Sequence, residues 1–361
     1  MPSTREIQLG PVRVGGGSPV VVQSMTCTRT GDATATLAQV EALAAAGCEL
    51  VRVTLPSVHD VPSFTRVVRE SRLPIIADIH FDWRLAMAAI EAGAAGIRIN
   101  PGTMNERHVH EIVRAAANTG DHPVAIRIGV NSGSLPRDLR DRATHSPDEA
   151  LVEAALRWAH LFDAWEFSAY KLSVKSSSVP ATIAAYRLLA TQTEAPLHVG
   201  VTEAGTLWGG TIKSAVGIGA LLADGIGDTI RVSLTGDPVQ EVRVAWKILA
   251  ALDLRRRGPD IISCPTCGRT EIDIVSLAQE VEARFEREPE FATRSFSVAV
   301  MGCCVNGPEE AKHADFGIAA GAGGGQLFAH GERVATLPAG DLLEALLELV
   351  RSRLAVSPSD S

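Results

Sequence analysis

The chain has 361 residues, of which 46% are hydrophobic and 21% charged, and its formal net charge is -8. This length and balance are typical of a globular protein with one large domain and one smaller domain. The acidic balance argues against general binding to nucleic acids or anionic membranes, because both need a basic surface. The N-terminal stretch MPSTREIQLGPVRVGGG has charges and glycines where a secretory signal has an apolar segment, and no run reaches the ~18 apolar residues of a membrane span. We therefore expect a cytoplasmic protein.

Eight short runs rich in β-branched residues, each bounded by turn residues, are predicted to be strands. They cover residues 20–25, 50–55, 75–80, 96–100, 124–131, 170–176, 197–205 and 228–235. Helical patterns separate these runs. A strict alternation of strands and helices implies a parallel sheet, and eight such units within about 250 residues match a closed (β/α)8 barrel, the TIM barrel.

The helices between the strands carry recognisable end signals. Gly47 and Gly93 follow two apolar-periodic stretches and suit the position just after a helix C-terminus. Ser146 and Glu149 have the spacing of a capping box, with Pro147 at the first helical position between them. These signals predict three of the barrel helices and their bounds.

The chain changes character at Pro259, so we predict a barrel domain over residues 1–258 and a second domain over 259–361. The second domain contains a helical pattern over 273–286, a strand pattern over 295–302 and an amphipathic helix over 339–355. The glycine-rich stretch over 319–328 lacks the strand-to-helix context of a phosphate loop and is interpreted as a turn between two strands. These elements suffice for a small α+β domain.

Polar residues recur at alternate positions near the carboxyl ends of the predicted barrel strands, so their side chains point to the same face. A TIM barrel builds its active site at these strand ends. Any single arginine among them could instead point outward and form an ion pair between helices. Convergence of four arginines and a lysine needs an anion, since Asp78 and Glu203 are too few to neutralise them. Guanidinium groups match phosphate oxygens, so the expected ligand is small and highly anionic, most plausibly a diphosphate. The five cations are Arg52, Arg98, Arg127, Lys175 and Arg231.

Two further residues of the predicted mouth suit proton chemistry. A lone histidine is more often structural than catalytic, but His80 stands two residues from Asp78 and could be an oriented donor. Glu203, in the stretch VGVTEAG, is the natural candidate for general acid or base work, because a carboxylate among cations can deliver or accept a proton.

Three cysteines have a spacing that suits a metal centre. Cys264 and Cys267 form a C-x-x-C pair, and Cys303 supplies a third thiol. A fourth cysteine, Cys304, would complete a structural zinc site. A three-cysteine site with an oxygen ligand instead suits a catalytic iron-sulfur cluster, in which one iron exchanges its ligand for substrate.

The remaining cysteines are interpreted as packing residues. Adjacent residues on an extended chain point in opposite directions, so Cys303 and Cys304 are awkward ligands for one tetrahedral ion. One of the two is expected to be a small hydrophobe. Cys27 and Cys48 lack a partner spacing and are also expected in the core.

Several long motifs together resemble those of the bacterial 4-hydroxy-3-methylbut-2-enyl diphosphate synthase family. The motifs are CPTCGRT, MGCCVNGPEEAKHADFGIA, RIGVNSGSL, GVTEAG and KSAVGIGALLADGIGDTIRVSLTGDP, and the likeness covers nearly the whole chain. The resemblance implies a TIM barrel joined to a small 4Fe-4S domain. It also implies a head-to-tail homodimer in which the cluster of one chain caps the barrel mouth of the other. The implied reaction is the two-electron reductive ring opening and dehydration of 2-C-methyl-D-erythritol 2,4-cyclodiphosphate, with electrons from a flavodoxin or ferredoxin.

The resemblance also assigns roles to individual residues. It implies Cys264, Cys267 and Cys303 as cluster ligands and Glu310 as the fourth ligand on the apical iron. The family usually reads G-C-V-V-N-G-P-G-E here, so this chain departs at Cys304 and Glu309, and Glu309 becomes a rival oxygen donor. The implied acid-base residue is Glu203, the implied substrate-binding residues are Arg52, Arg98, Arg127, Asn131, Lys175 and Arg231, and the supporting residues are Asp78, His80 and Ser233.

Two other classes of function are weighed against this hypothesis. The first is a group-transfer TIM barrel for a phosphorylated ligand such as a pterin diphosphate, with a structural zinc module. The lack of a fourth in-phase cysteine and the position of Glu310 favour iron over this alternative. The second is a nucleic-acid-binding zinc module, which the acidic balance and the total of seven tyrosine and tryptophan residues disfavour.

Overall fold

The structure is a computed structural model that describes residues 3–120, 122–131, 133, 135–303 and 307–356. The chain divides into two compact units, Met1–Arg255 and Arg256–Ser361. This division falls three residues before the predicted boundary at residue 258. None of the helices within the described ranges has the length and apolar character needed to cross a membrane.

The first unit opens with a β-hairpin that the sequence analysis did not predict. Strands β1 (Glu6–Leu9) and β2 (Val12–Gly15) pair antiparallel. Ile7 and Leu9 of this hairpin pack against residues at the start of three barrel strands. The strand residues in this apolar cluster are Val21, Leu50 and Ile76. The hairpin thereby covers the amino-terminal end of the barrel, the end opposite to the expected active site.

Eight parallel strands form the barrel, in agreement with the prediction. Their order in the sheet is β8-β7-β6-β5-β4-β3-β10-β9, and a bridge between Leu172 and Leu197 links the two ends. The last two strands are much shorter than predicted. In the run 197–205, Glu203 and Gly205 have positive φ values that a regular strand does not contain. The barrel strands are β3 (Val21–Met25), β4 (Leu50–Thr54), β5 (Ile75–Asp78), β6 (Gly96–Ile99), β7 (Ala125–Asn131), β8 (Tyr170–Lys175), β9 (His198–Val199) and β10 (Thr229–Ile230).

The barrel helices have the end signals that the sequence predicts, with one exception. Gly47 and Gly93 follow helix C-termini with φ of 96° and 87°. Ser146 is an N-cap residue followed by Pro147, but its side chain makes no capping hydrogen bond, so the capping-box prediction is wrong. The helices are α1 (Ala33–Ala45), α2 (Val61–Glu70), α3 (Trp83–Glu91), α4 (Glu106–Ala117), α5 (Arg137–Ala143), α6 (Pro147–Ala164), α7 (Val179–Ala190), α8 (Leu207–Ala223) and α9 (Pro238–Ala251).

Tyr186 of α7 forms hydrogen bonds to both strands at the closure of the barrel, β8 and β9. Its buried hydroxyl accepts a hydrogen bond from Val174 N at 3.2 Å and donates one to the His198 carbonyl at 2.5 Å. The side chain thus substitutes for missing ladder hydrogen bonds between β8 and β9.

Tyr186→Phe is expected to lower the free energy of unfolding by about 1–3 kcal/mol, because it leaves two buried backbone groups without this partner. Tyr170→Phe is the matched control, since the Tyr170 hydroxyl donates to Asp163, whose half-exposed side chain can bond to water instead. Urea unfolding of both variants measures the difference. Equal losses in the two variants would contradict the role of Tyr186 in closing the barrel.

The second unit is a five-stranded sheet with helices. Its sheet order is β11-β12-β13-β14-β15, with the first three strands parallel and the last three antiparallel. The glycine-rich stretch forms the turn between β13 and β14, as predicted. Edge-to-face aromatic contacts among Phe285, Phe291, Phe296 and Phe316 hold its core. The elements are β11 (Pro259–Ser263), α10 (Ile274–Arg287), α11 (Pro289–Ala292), β12 (Phe296–Met301), α12 (Gly307–Ala311), β13 (Phe316–Gly321), β14 (Gly324–Ala329), β15 (Glu332–Leu337) and α13 (Leu342–Val356).

Candidate active site

A polar cavity of about 250 Å³ lies at the carboxyl ends of the barrel strands. All nine residues that the sequence predicts for substrate binding line it. Gly129, Ser173 and Thr202 line it as well, and they were absent from the predicted site. The complete lining is Arg52, Asp78, His80, Arg98, Arg127, Gly129, Asn131, Ser173, Lys175, Thr202, Arg231 and Ser233.

Asp78 organises one wall of the cavity. Its carboxylate lies 3.2 Å from Arg98 Nη1, 3.6 Å from Arg52 Nε and 3.5 Å from His80 Nε2. Burial alone would raise the pKa of Asp78, but Arg52, His80 and Arg98 more than offset it and hold that pKa well below its usual range. Burial lowers the pKa of Arg52 to about 10, against the opposing effect of Asp78. Asp78 is therefore a fixed negative charge that orients two guanidinium groups.

Glu241 of α9 organises the opposite wall and was missed by the sequence analysis. Its Oε1 accepts hydrogen bonds from Arg231 Nη2 at 3.3 Å and Leu234 N at 3.0 Å. Its other oxygen lies 3.1 Å from the hydroxyl of Ser24. A usable signal was present in the sequence, because Glu241 falls at i, i+4 and i+8 spacing with two buried residues of the same helix, Ala245 and Leu249.

Arg127 and Lys175 are the cavity cations without a carboxylate partner among the described residues. Burial, Arg52 and Arg98 lower the pKa of Arg127 well below its ordinary value, and Arg127 Nε has no hydrogen-bond partner within the described ranges. Five cationic side chains face Asp78 and Glu241, which leaves a formal excess of three positive charges. Without a ligand, this excess of buried positive charge destabilises the folded protein. The arrangement suits a ligand with several negative charges.

Glu203 occupies a special position beside the cavity but does not line it. Thr202, the preceding residue, lines the cavity. Glu203 is exposed and has a φ of 52°, a left-handed conformation that is rare for residues other than glycine. Backbone strain of this kind concentrates at functional sites. The acid-base role of Glu203 stays a prediction.

In the second unit, sheet register brings two of the predicted cluster ligands to one edge. Cys264 directly follows β11, and Cys303 comes two residues after the end of β12. These strands are parallel and pair Ser263 with Val300, so both cysteines leave the same end of the sheet. Gly302 N donates a hydrogen bond to Cys264 Sγ at 3.3 Å. Cys267 is exposed in the turn that follows Cys264.

The two rival glutamates of α12 differ in their surroundings. Both side chains are exposed, and α12 packs on β12 and β13. Glu309 Oε1 lies 2.7 Å from Lys312 Nζ, and this hydrogen bond lowers the pKa of Glu309. This ion pair is exposed to solvent, and the choice of Glu310 over Glu309 as the oxygen donor stays a prediction. Cys304 lies outside the described residues.

The donor set is compatible with an iron-sulfur cluster. Within the described ranges, no three His, Cys, Asp or Glu side chains lie close enough to hold one metal ion. Two of the three predicted thiol ligands leave the same end of one sheet, and thiolates with an oxygen ligand are a donor set that suits an iron-sulfur cluster.

The two remaining described cysteines have different environments. Cys48 is buried as expected, and burial raises its pKa to about 12. Cys27 is exposed, so the prediction that it packs in the core is wrong. Its sulfur accepts a hydrogen bond from Gln39 Nε2 at 3.1 Å.

Residues 4–246 match the GcpE TIM-barrel domain, and residues 260–352 match the GcpE protein C-terminal domain. The chain belongs to the GcpE family. This assignment confirms the resemblance that the sequence motifs indicated, and it leaves the group-transfer alternative without support.

Relatives in the GcpE family share about half of their residues with this chain. The 4-hydroxy-3-methylbut-2-en-1-yl diphosphate synthase (flavodoxin) of Geobacter sulfurreducens is 52% identical over 352 residues, which cover 98% of each chain. The Lawsonia intracellularis protein of the same name is 50% identical and covers 98% of this chain and 97% of its own length. A solved dihydropteroate synthase of Xanthomonas albilineans is 16% identical over 68% of this chain and 98% of its own, with a TM-score of 0.44. A likeness at that level carries no argument about function.

Proposed function

We propose that the protein catalyses the two-electron reductive ring opening and dehydration of 2-C-methyl-D-erythritol 2,4-cyclodiphosphate to 4-hydroxy-3-methylbut-2-enyl diphosphate, in isoprenoid biosynthesis. The observation that carries the proposal is the formal excess of three positive charges at a polar cavity. A cyclic diphosphate offers two anionic phosphates in a compact ligand of this kind. The names of the curated relatives support the same reaction.

The proposed division of work follows from which cations are already paired. Arg127 and Lys175, which have no carboxylate partner in the described part of the chain, bind phosphate oxygens most directly. Arg52 and Arg98 are held in place by Asp78, and Arg231 by Glu241, so these guanidinium groups are preorganised for the ligand. His80, Asn131 and Ser233 contribute further hydrogen-bonding groups that orient the ligand.

The proposed cofactor is a 4Fe-4S cluster held by Cys264, Cys267, Cys303 and Glu310. When bound, such a cluster supplies electrons one at a time and acts as a Lewis acid. A flavodoxin is the proposed electron donor, in line with the names of the relatives, and a ferredoxin is the alternative. The cytoplasm is the proposed compartment, because thiolate-bound iron and a reduced donor both require a reducing environment.

A homodimer is proposed as the working assembly, with the cluster of one chain serving the barrel of the other. An exposed apolar stripe on α8 supports an oligomer that would cover it. The stripe consists of Leu207, Trp208, Ile212 and Val216. Mixing a Glu203→Gln chain with a Cys264→Ser chain should restore activity if the cluster acts in trans. No recovery above either parent protein would contradict that arrangement.

Glu203→Gln is expected to lower kcat by about 10² to 10⁴-fold while substrate affinity changes little, because the side chain is assigned to proton transfer. Steady-state kinetics with reduced flavodoxin and equilibrium binding to the oxidised enzyme separate the two effects. Glu166→Gln is the matched control, since Glu166 is also exposed and has a left-handed φ of 58° but follows α6 at the opposite end of the barrel. A wild-type kcat in Glu203→Gln would remove Glu203 from the mechanism.

The reaction itself is tested by turnover of the cyclodiphosphate under anaerobic conditions. Protein with its full complement of iron and sulfide, given reduced flavodoxin, should form the linear allylic diphosphate. Dependence on both the donor and the intact cysteines is expected. Failure to form product with a fully loaded and reducible cluster would overturn the proposed function.

A further inference from the structure

Lys175 is the cavity cation with the least electrostatic compensation. It ends β8 and is buried, with 7% of its surface exposed. The charged and titratable groups that act on it are Arg127 of β7, Arg231 after β10, Arg52 of β4 and Arg98 of β6, and it acts in turn on His198 of β9. Asp78 and Glu241 are already paired with arginines, and no described carboxylate pairs with Lys175.

Gly200 packs closely against both the Arg231 backbone and the Lys175 amine. A Cβ atom at Gly200 would stand 2.7 Å from Lys175 Nζ and 2.5 Å from the carbonyl oxygen of Arg231. Real Cβ atoms do not approach other atoms so closely. Gly200 does not adopt a left-handed φ, so the glycine is needed for space rather than for its backbone conformation.

The cations of the cavity differ in their ability to lose a proton. Guanidinium groups stay protonated in proteins, whereas a buried amine can become neutral. Burial, Arg127 and Arg231 lower the pKa of Lys175 well below its ordinary value. The empty cavity can therefore relieve its excess of positive charge at Lys175, where the amine releases a proton to solvent.

We propose that binding of the anionic substrate is coupled to uptake of one proton by the Lys175 amine. The proton comes from solvent, the amine lone pair forms the new N–H bond, and no electron is transferred. The inference rests on the proposed function, since it takes the cyclodiphosphate as the ligand. The ammonium group then forms only in the complex, where the phosphates compensate its charge, and the empty cavity avoids holding a fifth adjacent cation.

Two other buried groups could compete for the proton. Lys171 lies four residues before Lys175 on the same face of β8, and burial and Arg127 lower its pKa to about 7. His198 and Lys171 both form hydrogen bonds with the Thr229 hydroxyl. The distance to that oxygen is 2.8 Å from His198 Nδ1 and 3.4 Å from Lys171 Nζ. Neither Lys171 nor His198 lines the cavity. Lys171→Met is therefore the matched control for a change at Lys175.

The test is calorimetric titration of the oxidised holoenzyme with 2-C-methyl-D-erythritol 2,4-cyclodiphosphate, without a reductant. Measurements in Hepes and in Tris at neutral pH give the number of protons exchanged per ligand, because these buffers differ in ionisation enthalpy. Each ring phosphate of this ligand has a single, strongly acidic oxygen, so the ligand itself does not titrate in the neutral range. Proton exchange then belongs to the protein.

The expected result is net proton uptake by the native protein, approaching one proton per ligand. By linkage, Kd should rise as pH rises, by at most about tenfold per pH unit. Lys175→Arg, which carries a permanent charge, should bind with little uptake and a flatter pH profile. Lys171→Met should retain the uptake.

Two different failures can be distinguished. Binding to the native protein without proton uptake overturns the role of Lys175 and leaves the proposed function standing. The role of Lys175 is also overturned if proton uptake persists in Lys175→Arg, or if uptake disappears only in Lys171→Met. Absence of any binding to the native holoenzyme overturns both this inference and the proposed function.

Discussion

Cys303→Ser is expected to purify with almost no iron and no detectable activity, against about four irons per chain in the native protein. Cys303 leaves the same sheet edge as Cys264, so no other described cysteine can replace it there. The measurement is iron and acid-labile sulfide per chain in protein purified without oxygen. Full iron content in Cys303→Ser would contradict the ligand assignment.

Cys304→Val is the matched control, because it restores the residue that the family usually has at this position. It is expected to keep the cluster and nearly all activity. Loss of the cluster in this variant would mean that Cys304 rather than Cys303 is the ligand. Glu310→Ala is expected to assemble a less stable cluster with far lower activity, since a single oxygen ligand is removed while the three thiolates remain.

Arg127→Met is expected to lower kcat/KM by at least about 100-fold while making the protein more stable to heat. The loss corresponds to about 3 kcal/mol, as expected for charged hydrogen bonds to a phosphate. The gain in stability arises because Arg127 is buried among Arg52 and Arg98, without a carboxylate partner in the described part of the chain. Removal of such a charge is expected to raise Tm by a few degrees.

Arg98→Met is the control that separates binding from stability. This change also removes a cavity guanidinium, but it takes from Asp78 a partner at 3.2 Å. Activity and Tm should therefore both fall. Thermal unfolding without ligand, together with kinetics, tests the pair of variants. A fall in Tm for Arg127→Met equal to that of Arg98→Met would contradict the view that Arg127 is held for the ligand alone.

The barrel could be predicted from the sequence because its strands are short apolar runs with regular spacing. The prediction failed where local pattern and backbone conformation diverge. The run 197–205 has the pattern of a strand, yet Glu203 and Gly205 have positive φ values that exclude the end of the run from a regular strand. The hairpin of β1 and β2 was missed because its glycine-rich sequence resembles a loop, while its stability comes from packing under distant strands.

The convergence of the cations could be predicted because side-chain parity on strands fixes which residues face the mouth. Their pairing could not be predicted, since it depends on contacts between distant parts of the chain. Glu241, which binds Arg231 from α9, is the clearest case. The sequence analysis treated Lys175 like the arginines, and its burial among four arginines without a described carboxylate partner became visible only in the structure.

The most direct test of the account is a count of iron, acid-labile sulfide and zinc in protein purified without oxygen. About four irons and four sulfides per chain are expected, with no zinc. Reductive ring opening requires such a cluster as the source of electrons. One zinc per chain and no sulfide would contradict the account, because the cysteines would then be structural and the protein would lack a centre that delivers electrons.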